Sequence, residues 1–146
     1  MAGQPDLRKR VFEKLEVSVV IEIPVPVLEE QRESLISAYI ERVLGDPHLE
    51  ILRKISDTEF QGFAGYILTS LRDYMEGNEE ELDSCSNFIG STCFQLSIPL
   101  LETCYALYLL DDKVVGLLKR EGASEAVLDR SRKFFDRLVL ELLRRY

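Results

Sequence analysis

From Ser97 to Arg120 the chain is apolar at nearly every turn, and from Ser124 to Tyr146 it carries an amphipathic pattern with no Gly, Asn or Pro to end it. A helix apolar around most of its circumference must be covered on most sides. The missing stop signal in Leu142-Leu143-Arg144-Arg145-Tyr146 predicts a helix that continues past this pattern. Together the two segments predict a buried or dimerising helix pair whose second member contacts a neighbour.

Upstream, apolar residues recur three and four apart, the spacing of one helix face. Leu7, Val11 and Leu15 mark a short helix over residues 6–16. Leu35, Ile36, Tyr39, Ile40, Val43 and Leu44 mark another over residues 28–44, closed by Gly45. Asp46 and Pro47 predict a short helix with an N-cap and an N1 proline. Asp57 is the next expected cap, ahead of a stripe from Phe60 to Met75 that Gly77-Asn78 ends. Asn78 caps a helix with Glu79, Glu80 and Glu81 in its acidic first turn; Ser97 and Ser124 cap the last two, and Gly122 separates them. The exception is residues 17–27, where Val17, Val19, Ile21, Ile23, Val25 and Val27 alternate while Pro24 and Pro26 share the other face. β-branched alternation with prolines predicts an edge strand or polyproline-like arm, and with no second strand pattern its pairing partner would be another chain.

The 146 residues suffice for one domain without metal or disulfide staples. A net charge of −8 repels phosphate backbones and anionic lipid, so no nucleic-acid or membrane partner is expected. Glu102, Asp111, Asp112 and Lys113 interrupt the longest apolar stretch, and no signal core follows Arg8-Lys9-Arg10. The three cysteines form no C-x-x-C pair, and their odd number argues against a disulfide framework, so a reducing cytoplasm is expected.

Chemistry-bearing groups are sparse. His48 is the only histidine and falls in a first helical turn, where an exposed side chain is expected. Asp111 and Asp112 diverge by about 100° around their helix and cannot share a metal ion, so both are expected in solvent beside Lys113. Cys93 and Cys104 are read as buried small hydrophobes, and Cys85, flanked by Ser84 and Ser86, as the exposed thiol. No catalytic or metal-ligating set emerges. Phe60, Phe63, Tyr66, Phe88, Phe94, Tyr105 and Tyr108 lie at helical spacing; they are core residues or, alternatively, the lining of a small-molecule pocket between helices.

The run Cys93-Phe94-Gln95-Leu96-Ser97-Ile98-Pro99-Leu100-Leu101-Glu102, with Tyr105-Ala106-Leu107-Tyr108-Leu109-Leu110 and Val114-Val115-Gly116-Leu117-Leu118 after it, resembles the N-terminal sensor domain of RsbR-type stressosome proteins. The ending Phe134-Phe135-Asp136-Arg137-Leu138-Val139-Leu140-Glu141-Leu142-Leu143-Arg144-Arg145-Tyr146 is similar to that domain's closing helix, and the likeness covers roughly residues 28–146. The resemblance implies a globin-like helical domain that dimerises, binds no haem and precedes an output module such as an anti-sigma-antagonist domain or a histidine kinase. Where a globin would supply its iron ligand, this chain has Cys85-Ser86-Asn87-Phe88-Ile89 and no histidine. The arm over residues 17–27 has no match in the family pattern.

The expected protein is all-α, a globin-like bundle of about six to seven helices with an extended N-terminal arm. Residues 1–146 form one domain, with the arm over 1–27 and the core over 28–146. Its expected role is non-catalytic: a cytoplasmic homodimer, without cofactor, that senses or scaffolds and relays a signal to an output module. Leu128, Phe135, Val139, Leu142 and Tyr146 form the dimer and relay stripe of the last helix; Val127, Phe134 and Leu138 form a second stripe, one facing the chain's own core and one the partner. The alternative role is a carrier holding haem, bilin or lipid between the aromatic helices.

Overall fold

The computed structural model describes residues 24–145, and these form six α-helices and no strand. They are α1 (Pro24–Glu30), α2 (Arg32–Leu44), α3 (Asp57–Met75), α4 (Glu81–Gln95), α5 (Leu100–Arg120) and α6 (Glu125–Arg145), with a 3-10 turn at Leu52–Lys54. The all-α expectation holds. The expected helix over residues 6–16, the first part of the arm and Tyr146 lie outside the described residues.

The end of the arm is corrected: residues 24–27 belong to α1. Pro24 and Pro26 both fall in the first turn, where a backbone N–H has no helical acceptor and a fixed φ near −65° already suits the helix. Val27 carbonyl then accepts from Gln31 N–H at 2.9 Å, and Gln31 carbonyl accepts from Leu35 N–H at 2.8 Å, so α1 and α2 meet with only Gln31 between them.

Residues 46–55 also differ from expectation. Asp46 does bond the His48 N–H at 2.9 Å, as a cap would, but no α-helix follows. Leu49 and Leu52, three apart, are both pulled into the core, and Glu102 of α5 accepts the Ile51 N–H at 3.0 Å. Those tertiary anchors set the tighter three-residue period of a 3-10 turn.

α2 packs on α5, fixed by the buried Tyr39 hydroxyl donating to Ala106 carbonyl at 2.8 Å. α3 runs antiparallel to both α2 and α4, with Tyr39 against Phe60 and Tyr66 stacked on Phe88. α6 packs chiefly on α4 and α5, and also on α3. It lies parallel to α4, as Arg137 with Glu79 at 3.3 Å and Arg145 with Asn87 show.

Left-handed residues end three helices. Gly77 (φ 103°) follows α3 and Gly122 (φ 80°) follows α5, where only glycine is unstrained. Ser97 (φ 55°) does the same for α4, with Ile98 N–H reaching back to Cys93 carbonyl at 2.8 Å. Ser97 therefore closes α4, and Pro99, extended at ψ 142°, begins α5 in its place. Ser56 rather than Asp57 caps α3, accepting the Glu59 N–H at 3.2 Å, while Ser124 caps α6 as expected.

Candidate functional site

The aromatic residues do not converge as one set. Phe60 and Phe63 of α3 and Phe88 of α4 share a half-open cleft of about 350 Å³. Leu52 and Ile98 lie on its inner side, and Ile55 and Leu96 extend the apolar wall. Glu59, Thr92 and Gln95 supply its polar groups. Tyr66 stacks on Phe88, with ring centroids 4.4 Å apart, and so supports the wall from outside.

The other three aromatics lie elsewhere. Phe94 is 78% exposed and faces a shallower groove with Ser86, Asn87 and Arg145. Tyr105 donates its hydroxyl to Asp46 at 2.7 Å, and Tyr108 is half exposed on α5. Of the cleft residues that sequence reasoning missed, the aliphatic ones (Leu52, Ile55, Leu96 and Ile98) come from two irregular segments, 46–55 and 96–99, where no helical period could align them, and Glu59, Gly62, Thr92 and Gln95 lie within α3 and α4 with no polar motif to mark them.

Asp46 is the buried polar centre beside α2. Its carboxylate accepts from the His48 N–H, from Tyr105 and from Arg42 at 2.9 Å, and pairs with His48 Nδ1 at 3.1 Å. The His48 N–H, the Tyr105 hydroxyl and the Arg42 guanidinium hold it well below the usual carboxylate range, against the opposing effect of burial. His48 itself projects into solvent, as expected. The cluster ties the chain after α2 to α5 and leaves its carboxylate oxygens occupied by donors.

The expectation for Asp111 is corrected. Asp112 is exposed, but Asp111 is half-buried with its Oδ1 lacking a hydrogen-bond partner, and burial lifts its pKa to about 6, with Asp112 and Asp136 adding and Arg132 opposing. Ser131 of α6 is fully buried, and its Oγ is likewise unpartnered. α5 and α6 thus each hold one under-satisfied polar group, both of which sequence reading missed.

Cys85 is corrected as well. It is buried rather than exposed, and desolvation pushes its thiol up to about 12, against a hydrogen bond from Ser70. Cys93 is buried as expected and Cys104 only half so.

The two stripes of α6 are both inside the chain. Leu128, Phe135, Val139 and Leu142 are buried, and so are Val127, Phe134 and Leu138. Three helices of the same chain wrap α6, so the expectation that one stripe faces a partner does not hold for these residues. The apolar side chains that α6 presents outward are Leu140 and Leu143.

Among the described residues no group of three or more His, Cys, Asp and Glu is placed to hold a metal ion, and no helix is long and apolar enough to cross a membrane. No protein-family model, curated protein or solved structure matches the chain.

Proposed function

We propose that this chain is a non-catalytic, cytoplasmic sensing or scaffold domain that dimerises and relays a signal through α6 to an output module. The observation that carries the reading is the α5–α6 seam. α6 is gripped along two buried stripes, yet Asp111 Oδ1, beside Arg132 and Asp136 of α6, and Ser131 Oγ on α6 itself are buried without a hydrogen-bond partner. Unsatisfied buried polar groups lower the cost of a second packing in which they find partners, and a relay needs such a two-state element.

Since the buried stripes are already occupied, the dimer face in this reading is the outward apolar set Leu140 and Leu143, together with Leu101 at 82% exposure. Asp111 interacts with Arg132 and Asp136 across antiparallel helices, so Leu101, ten residues earlier on α5, lies level with the last turn of α6. Light scattering at tens of micromolar should give a dimer, and L140E with L143E should give a folded monomer; a monomeric parent would end the dimer proposal. For the relay, V139A in a fusion to a reporter kinase core should change reporter output at preserved helicity. If seam substitutions shift only the melting temperature, a passive scaffold is what remains.

A second reading, a small-molecule carrier, is favoured by the cleft at Phe60, Phe63 and Phe88.

A further inference from the structure

The cleft lies between the first half of α3 and the last turns of α4, and its volume of about 350 Å³ is at the small end of those that hold ligands. Gly62 lines it from within α3. Glycine in a helix interior costs stability relative to alanine, so its presence calls for a reason. Packing does not give one, since a Cβ added at Gly62 would meet no described atom within 4 Å. What a side chain there would do is enter the cleft. Gly116 has the same open surroundings but does not line this cleft, so what sets Gly62 apart is its place at an aromatic-walled opening.

The polar groups define the head group of an occupant. Glu59, Thr92 and Gln95 line the cleft, and among the described residues no lysine, arginine or histidine does. An ionised carboxylate can only accept a hydrogen bond, whereas the hydroxyl and amide can do either. A carboxylate or phosphate head would therefore meet Glu59 with no cation to offset it, and a head that donates would be satisfied.

We propose that this cleft binds a small apolar molecule with an amine or hydroxyl at one end. Its body packs against Phe60, Phe63 and Phe88, and its head donates to Glu59 and Gln95. The site deepens the sensing role by giving it an input, and in that sense rests on it. Occupancy is nevertheless read on this chain alone and the relay on a fused reporter, so the two ideas fail separately.

The test is titration calorimetry of the full chain with three probes that share one body: phenylbutylamine, phenylbutanol and phenylbutanoate. The amine should saturate a single site with Kd below about 1 mM. The alcohol should bind within about fivefold of the amine, because Glu59 is solvent-exposed and its charge is screened. The carboxylate should bind at least about tenfold more weakly than the amine. G62L should fill the opening and weaken the amine at least about tenfold with the circular-dichroism spectrum retained. Should G62L not fold, Q95W at the exposed rim gives the same readout. E59Q should remove the preference for amine over alcohol while leaving the alcohol unchanged. The proposal is overturned if neither amine nor alcohol saturates, if the carboxylate binds as tightly as the amine, or if either folded blocking variant binds the amine as the parent does.

Discussion

Burial against α6 is what raises the Asp111 pKa to about 6, above the ordinary carboxylate value. The native state then holds this proton more tightly than the unfolded chain. Its contribution to stability is fully present below the unfolded pKa, is lost as pH rises through about 6, and leaves a constant penalty above that. D111N should remove the charge and stabilise the protein by about 1–3 kcal/mol at neutral pH, while flattening the fall between about pH 4 and 6. Urea unfolding at both ends of that window checks it, and equal stability of variant and parent at neutral pH would show that the buried charge is not costly. Nothing in Asp111-Asp112 distinguishes the two carboxylates until α6 is in place. Cys85 was more legible than its serine neighbours suggested: Leu82, Cys85, Ile89 and Cys93 follow one helical stripe, and all four are buried. Ser86 is buried beside them because its hydroxyl donates to the Asp83 carbonyl at 2.9 Å within its own helix.

At the level of elements, the boundary between α4 and α5 is the most informative. Ser97 occupies the left-handed position that glycine fills after α3 and α5. S97G should therefore relieve backbone strain and stabilise the fold by about 0.5–1 kcal/mol, net of the added freedom of the unfolded chain. Thermal unfolding reads the sign, and a lower melting temperature would mean that the serine is not strained. Helix order and the ends of α3, α5 and α6 were readable because their stops and caps are local: Gly77, Gly122 and Ser124 act on the residues beside them. The 3-10 turn at Leu52–Lys54 and the helical fate of Pro24 were not, since the first depends on Glu102, fifty-one residues away, and the second on where a helix happens to start.

For the molecule as a whole, amphipathic patterning identified which α6 residues are buried but not what buries them. A helix wrapped by three others in its own chain presents the same two stripes as one shared with a partner. F135A should cost about 3–5 kcal/mol and F94A less than about 0.5 kcal/mol, the contrast between a fully enclosed ring and one facing solvent. Comparable losses in denaturant unfolding would mean that Phe94 is covered in solution. The aromatic set illustrates the same limit: spacing placed seven rings on helices, and only the approach of α3 to α4 selected Phe60, Phe63 and Phe88 for the cleft. The central placing of α6 also bears on synthesis. The helix that fills the core leaves the ribosome after the three that wrap it, and its 21 residues take about 1–4 s to add at ordinary elongation rates. During that interval α3, α4 and α5 wait with their inner faces uncovered, so the nascent chain passes through a window in which chaperone capture competes with completion of the core.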